Sequence, residues 1–188
     1  MNESDTDIIQ EILRGGEHGF AVLLQRYRAR VFALTLRMIG NREDAEEAAQ
    51  DAFIRTFRAL PAFRQQSRFS TWLYRITYNT ALNYVNRKSG NAEVPLEDHH
   101  DEPDEERFPA DVKIEHEEVA VQVRHALEHL RPEYTTMLTL FYLEDQSYEE
   151  IAEITRLPLG TVKNRLHRAR TALRSYVLKH HAHLSQTS

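Results

Sequence analysis

Apolar residues recur at three- and four-residue steps along much of this 188-residue chain. The clearest run extends from Phe20 to Met38 and marks one face of a long helix. A strand instead requires alternation of period two, and no stretch of the sequence sustains it. The chain also contains only six glycines to interrupt helices. The sequence therefore predicts an all-α fold.

Start and stop signals divide the first 90 residues into four predicted helices. A short amphipathic helix covers 5–14 and ends at a Gly-Gly pair, and the long helix ends near Gly40. A third helix covers 42–60, with acidic residues in its first turns, where the helix dipole favours negative charge, and it ends at a proline. The fourth begins near residue 70 and runs to about Arg87.

The C-terminal part of the sequence predicts a helix-turn-helix. Helices are expected over 119–130 and 133–143. The sequence SYEE, 147–150, is a capping box, in which the serine and the glutamate each satisfy the other's backbone amide. A short helix follows, then a turn, RLPLG, and a last helix that Thr161 can open. Two short helices joined by a tight turn are typical of DNA-binding units.

The charge is unevenly distributed. The formal net charge is -5, but 1–90 carries +3, 91–118 carries -10 and 119–188 carries +2. The middle segment contains three prolines and few large apolar residues, as expected of a flexible linker that cannot bury a core. We therefore predict two small helical domains, 1–90 and 119–188, joined by the acidic linker 91–118.

Two segments contain no acidic residue at all. They are 52–92 and 154–188, and each holds seven Lys and Arg residues. The first also holds eight of the 17 aromatic residues, and cations interleaved with flat rings suit single-stranded nucleic acid. Ordinary core packing is the alternative, and it is favoured for Phe53, Phe57 and Trp72.

The last predicted helix has one apolar face and one polar face. Its apolar face consists of Val162, Leu166, Ala169 and Leu173. The outward side chains are Lys163, Asn164, His167, Arg168 and Thr171, the kind of set that reads base edges in the major groove. Arg165, Arg170 and Arg174 lie toward the flanks and suit phosphates. A merely solvated basic face is the alternative.

Other classes of function find little support in the sequence. The chain has no cysteine, no HExxH motif, no Gly-rich phosphate loop and no Ser-His-Asp pattern. Ten histidines, including His125 and His129 one helical turn apart and a terminal HHAH, could suggest a metal site. Because no carboxylate or cysteine completes such a site, we expect no metal, no cofactor and no catalysis.

The sequence also predicts a cytoplasmic protein. The opening MNESDTDIIQ lacks the basic flank and apolar core of a signal peptide. No apolar run approaches the roughly 20 residues that span a bilayer, so we expect no membrane insertion.

Two motif blocks resemble a known family. The first, DAEEAAQDAFIRTFRALPAFRQQSRFSTWLYRITYNTALNYVNR at 44–87, is similar to conserved region 2 of bacterial RNA polymerase sigma factors. The second, LRPEYTTMLTLFYLEDQSYEEIAEITRLPLGTVKNRLHRARTAL at 130–173, is similar to their region 4. No region 3 fits between them, so the chain resembles the extracytoplasmic-function group of the sigma-70 family.

The resemblance implies a binding function for each motif block. The helix at 44–60 would dock on the clamp helices of the largest subunit of core RNA polymerase, although an acidic helix start can also serve only its own dipole. The candidate polymerase contacts are Asp44, Glu47, Gln50, Asp51 and Phe53. The following loop and helix would hold an unstacked base of the minus-10 promoter element. The candidate pocket residues are Phe63, Arg64, Ser67, Arg68, Trp72 and Asn79.

The remaining expectations complete this interpretation. Asn79 is suited to a base edge but could instead brace the backbone, and Arg75, Arg87 and Lys88 are expected at phosphates. The helix-turn-helix would read the minus-35 element through Lys163, Asn164, His167 and Arg168. The partners implied are core RNA polymerase, promoter DNA and an anti-sigma factor. The alternative function is a regulator that binds DNA without joining polymerase.

Overall fold

The computed structural model describes residues 4–16, 18–88 and 125–184, with side chains up to residue 179. All regular secondary structure in these ranges is helical, which confirms the predicted all-α fold. The N-terminal lobe consists of α1 (Asp5–Leu13), α2 (His18–Ile39), α3 (Arg42–Ala59), a 3-10 turn (Leu60–Ala62) and α4 (Phe69–Lys88).

The described part of the C-terminal lobe, 125–184, contains four α-helices. Residues 125–129 form the described part of α5, followed by α6 (Pro132–Leu138), a π-helical turn (Thr139–Leu143), α7 (Tyr148–Thr155) and α8 (Leu159–Leu184). The predicted linker, 91–118, lies outside the described residues, so the domain boundaries stay a prediction.

Helix α1 packs closely on α2. The side chain of Ser4 caps α1 by accepting a hydrogen bond of 3.2 Å from the Asp7 backbone N–H. A Cβ at Gly19 would approach Ile12 Cγ1 to 2.7 Å, so only glycine allows this approach of α1 to α2. The three isoleucines of α1 are buried there, which anchors the start of the chain to the lobe.

Helices α2 and α3 are fastened by a buried hydroxyl. Asn41 caps α3 by accepting from the Asp44 backbone N–H at 3.0 Å. The hydroxyl of Thr35, in α2, donates to the Ala45 carbonyl in α3 at 2.9 Å, and Thr35 is fully buried. This bond satisfies a polar group that would otherwise weaken the core.

The predicted helix 133–143 is divided into two parts. The α-helix ends at Leu138, and the π turn closes with a bond of 3.0 Å from Glu144 N–H to the Thr139 carbonyl. The wider turn places Leu140 in the core and leaves Tyr142 and Leu143 exposed.

The two lobes pack against each other. Helix α4 contacts α7, and α2 contacts α6. The buried apolar residues form one continuous cluster that runs from α1 to α8 and includes residues of both lobes. No helix in the described ranges is long and apolar enough to cross a membrane.

Candidate nucleic-acid interface

The predicted helix-turn-helix is present in α7 and α8. Ser147 Oγ accepts from the Glu150 N–H at 3.2 Å, and a Glu150 carboxylate oxygen accepts from the Ser147 N–H at 2.8 Å, which confirms the capping box. Arg156 adopts the left-handed conformation, φ 59°, and ends α7. Helix α8 begins at Leu159, two residues before Thr161, because Pro158 already accepts the first helical bond, from Val162.

Helix α8 presents the predicted polar face. Val162, Leu166 and Ala169 are fully buried and Leu173 is partly buried against the same core, which confirms the apolar face. On the other side, Lys163 is exposed, while Asn164, His167 and Arg168 are partly exposed. The structure therefore brings the four candidate minus-35 residues together on one surface, and their contact with bases stays a prediction.

The three flanking arginines of α8 have different surroundings. Arg165 is only 6% exposed and lies beside Tyr78 of the N-terminal lobe, so it reaches a phosphate only if the lobes separate. Arg170 donates to the hydroxyls of Tyr142 at 2.9 Å and Tyr148 at 3.1 Å, so it braces its own lobe. Arg174 is exposed and remains the best placed of the three for a phosphate.

The aromatic residues of the candidate minus-10 pocket are largely a core. Trp72 is 9% exposed, and its ring centroid lies 4.9 Å from that of Phe63 and 6.0 Å from that of Phe69. Phe63 is partly exposed at the lobe surface, and Arg64 is exposed beside it. A base could therefore stack on Phe63, with Trp72 behind it as support.

The side chain of Asn79 contacts the backbone of α4, which was the predicted alternative to reading a base edge. Its side-chain amide donates to the Arg75 carbonyl one turn earlier at 2.7 Å. Asn79 is partly exposed, and its amide oxygen and second amide N–H remain to meet a base edge. Base reading by Asn79 stays a prediction.

Two pocket candidates and one phosphate candidate contact the other lobe. Arg68 Nε donates to Glu150 Oε1 at 2.7 Å, and Arg75 Nη1 donates to Glu153 Oε1 at 3.0 Å. The Ser67 hydroxyl lies 3.4 Å from the same Glu153 oxygen. Both carboxylates belong to α7, so this surface is covered by the helix-turn-helix.

A buried carboxylate lies at the centre of the contact between lobes. Glu144 accepts a hydrogen bond from the Tyr74 hydroxyl, and Arg30 Nε lies 3.8 Å from the same carboxylate. Burial raises the pKa of Glu144, and burial together with this hydrogen bond raises the pKa of Tyr74. By contrast, the hydrogen bonds from Arg68 lower the pKa of Glu150 to about 2.

The remaining phosphate candidates lie at the end of α4. Arg87 is exposed and stacks on the Tyr84 ring, with 4.6 Å from Cζ to the centroid. Lys88 forms an ion pair with Asp44, one of the polymerase candidates. This pair links the two candidate surfaces at one edge of the lobe.

Helix α3 borders a groove that the sequence did not reveal. Among the polymerase candidates, Glu47 and Gln50 are exposed, Asp44 and Asp51 are partly exposed, and Phe53 is buried. Gln50 and Phe53 line a groove between α2 and α3 that also includes Leu24 and Ile54. Leu24 lies within the apolar run from Phe20 to Met38 that predicted a buried face of α2, yet it is 41% exposed, and Ile54 of α3 is 48% exposed. Apolar residues that lie exposed in one groove, with polar residues around them, form the kind of surface on which a partner protein docks.

The histidine pair does not form a three-ligand metal site. His129 Nδ1 lies 2.9 Å from the His125 carbonyl oxygen, and the centroids of the two imidazole rings are 4.5 Å apart. Within the described ranges, no three His, Cys, Asp or Glu residues are placed to hold a metal ion. The side chains of the terminal HHAH lie outside the described residues.

Comparisons with known proteins match both lobes. The sequence model "Sigma-70 region 2" matches residues 23–90, and "Sigma-70, region 4" matches residues 120–173. The RNA polymerase sigma-H factor of Pseudomonas aeruginosa is 33% identical over 184 residues, covering 91% of this chain and 92% of that protein. The extracytoplasmic-function sigma-E factor of Escherichia coli is 34% identical over 188 residues, covering 92% of this chain and 95% of that protein.

Solved structures show the same fold. The sigma factor RpoE of Bartonella quintana, in complex with the anti-sigma factor NepR, superposes with a TM-score of 0.59 at 22% identity, covering 85% of this chain and 96% of that chain. CnrH, in complex with the cytosolic domain of CnrY, superposes with a TM-score of 0.60 at 21% identity, covering 99% of this chain and 100% of that chain. A two-lobed helical protein with a helix-turn-helix in its second lobe is thus established. The chain belongs to the extracytoplasmic-function group of the sigma-70 family of RNA polymerase sigma factors.

Proposed function

We propose that this protein binds core RNA polymerase and directs it to promoters by reading a minus-35 and a minus-10 element. The observation that carries the proposal is one chain with both family regions in order, the second of which exposes a polar face on α8. The protein selects the start site and catalyses no reaction itself. We place its action in the cytoplasm, where promoter DNA and polymerase meet.

The minus-35 element is read by α8. Lys163 and Arg168 carry donors for guanine, and Asn164 has the paired donor and acceptor that suit adenine. A neutral His167 has one ring nitrogen that donates and one that accepts. The N-terminal half of α8 bears all four, as expected of a recognition helix whose first turns enter the major groove.

The minus-10 element is opened at the N-terminal lobe. Unstacking bases costs a few kcal/mol, which stacking on Phe63 and phosphate contacts from nearby arginines offset. Trp72 supports the ring of Phe63 from behind. Arg87 and Lys88 then lie along the path of the backbone at the end of α4.

Polymerase binds the surface around α3. The groove beside Gln50 and Phe53 supplies apolar contact through Leu24 and Ile54, and exposed Glu47 supplies charge that steers a basic partner. An anti-sigma factor that covered this groove would prevent polymerase binding, and one related fold, RpoE of Bartonella quintana, was solved in complex with an anti-sigma factor.

The test is co-elution with core polymerase, followed by transcription. The purified chain and core enzyme are mixed at salt high enough to remove nonspecific contacts, separated by size, and assayed on a promoter library. We expect co-elution and promoter-specific transcripts. Glu47→Lys should lose both, whereas Glu128→Lys, the same charge reversal at an exposed site of α5, should lose neither.

The competing function predicts a different result. A regulator that acts alone would bind specific double-stranded DNA without polymerase and would not co-elute with it. That outcome, with the protein shown to be folded and free of a bound inhibitor, would replace the sigma factor proposal.

A further inference from the structure

The turn between α7 and α8 contains an arginine in a backbone conformation that favours glycine. Resting on the proposed minus-35 function, we propose that Arg156 binds a DNA phosphate at the edge of the major groove and so positions α8 on the promoter. A phosphate contact carries no sequence information. Arg156 is thus a positioning residue, which strengthens binding to every promoter without selecting a base.

The backbone of Arg156 is strained. Its angles are φ 59° and ψ 26°, in the left-handed region. A residue with a Cβ is disfavoured there, whereas glycine adopts this conformation freely. Glycine would also end α7, since it is the residue most often found where a helix ends in this way. Because backbone strain of this kind collects at functional sites, an arginine at this position indicates a function for its side chain.

The fold itself gives the side chain of Arg156 no contact to make. The residue is exposed, and within the described ranges its guanidinium forms no hydrogen bond or ion pair. Two other arginines of the helix-turn-helix are engaged inside the protein. Arg165 is buried, and Arg170 donates to the hydroxyls of Tyr142 and Tyr148. Arg156 is therefore a cation that the folded protein leaves available to an anion.

The place of Arg156 in the chain suits a phosphate beside the groove. Only Leu157 and Pro158 separate it from the start of α8, whose first turns are expected to enter the major groove. From Leu159 to Arg174 the helix rises roughly 22 Å, at about 1.5 Å per residue, whereas the major groove is about 12 Å wide. A helix of this length that crosses the groove reaches both strands. Cations at its two ends, Arg156 and Arg174, can then meet different backbones.

The experiment measures promoter binding and stability on the same variants. Core polymerase carrying each variant binds a labelled promoter duplex, selected from a randomised library by the unmodified chain, and anisotropy gives the affinity at several salt concentrations. A second duplex with a different minus-35 sequence tests whether the effect depends on sequence. Urea unfolding of each free chain gives its midpoint.

The test variants are Arg156→Gly and Arg156→Asn. Both remove the charge; glycine also removes the strain, and asparagine tolerates the left-handed backbone while keeping a side chain. We expect both to bind either duplex about three- to tenfold more weakly, between the effect of an exposed ion pair and that of a charged hydrogen bond. The slope of log affinity against log salt should fall by about 0.9, as for one lost phosphate contact. Arg156→Gly should nevertheless raise the urea midpoint.

Two further variants serve as controls. Arg156→Lys keeps the charge and should keep most of the affinity and of the salt dependence. Arg14→Asn removes one positive charge at an exposed position at the end of α1, away from the helix-turn-helix. It should stay within about twofold of the unmodified chain, as surface changes do. A residue needed only for folding would lose affinity and stability together, whereas Arg156→Gly is expected to lose the first and gain in the second.

Four results would overturn the proposal. Unchanged affinity in both test variants would show that Arg156 contacts no phosphate, and equal weakening in Arg14→Asn would indicate net charge alone. Weakening on only one of the two duplexes would make Arg156 a base reader. A lowered urea midpoint in Arg156→Gly would show that the arginine serves the fold. Failure of the unmodified chain to form a promoter-specific complex with polymerase is distinct from these, because it would contradict the proposed function itself.

Discussion

The two acid-free segments, 52–92 and 154–188, have the same number of cations but different surroundings. In the first, Arg68 and Arg75 are paired with carboxylates of the opposite lobe. In the second, Lys163 lies exposed on α8 among the other candidate base readers. Composition alone marks both as suited to nucleic acid. The packing of the lobes decides which cations are accessible, and the following changes test that difference.

The largest expected effect comes from the aromatic core of the first segment. Trp72→Ala should lower the free energy of unfolding by about 3–5 kcal/mol, because a buried ring leaves a cavity between Phe63 and Phe69. Urea denaturation measures the loss. Trp72→Phe should cost clearly less, since most of the apolar volume remains. A loss below about 1 kcal/mol for Trp72→Ala would show that Trp72 is not part of the core.

The next effect comes from the outward face of the second segment. Arg168→Ala should relax discrimination at one position of the minus-35 element by about 1–3 kcal/mol, because a paired contact to a base edge is removed. Transcription with core polymerase from templates randomised at this element measures it. Stability should barely change. Equal weakening on every template would mean that α8 is turned differently in the groove.

A smaller effect is expected at Arg174, on the same helix. Arg174→Ala should weaken binding to all promoters alike and reduce the slope of log affinity against log salt by about one, since one phosphate contact is lost. A salt titration of polymerase-dependent promoter binding shows this. Selective loss on particular sequences would reassign Arg174 to base reading.

The smallest effect depends on pH and concerns the cations of the first segment. Glu150→Gln should destabilise the protein by at most about 1 kcal/mol at pH 7. Arg68 lowers the pKa of Glu150 from the ordinary 4.5 to about 2, so its contribution to stability is present above 4.5 and is lost as the pH falls toward 2. Urea unfolding at pH 7 and pH 3 should therefore show a shrinking difference. A difference that stayed constant between pH 7 and pH 3 would show that the charge of Glu150 does not contribute to stability.

Local structure was predictable because its causes lie close together in sequence. The capping box needs only Ser147 and Glu150, and both of its bonds are present. The buried face of α8 follows from spacing alone, and Val162, Leu166 and Ala169 are fully buried. The order of helices was correct for the same reason.

Contacts between distant residues could not be predicted in this way. Arg165 was expected at a phosphate, but it is buried and lines a pocket together with Tyr78, which is far away in sequence. Leu24 fits the apolar period of α2, yet it remains 41% exposed in the groove between α2 and α3. The pairing of Arg68 with Glu150 joins residues 82 positions apart, beyond the reach of any helical spacing.

The carboxylate of Glu150 has two tasks, and together they limit which residues this position can accept. One oxygen accepts from both the Ser147 N–H at 2.8 Å and Arg68 Nη2 at 2.5 Å. Glutamine would start α7 but could not neutralise the arginine. Aspartate would keep the charge, but its side chain is one carbon shorter for reaching back to the cap. Replacing Glu150 by glutamine would therefore weaken the contact between the lobes. Replacing it by aspartate would weaken the start of α7, so only glutamate serves both purposes.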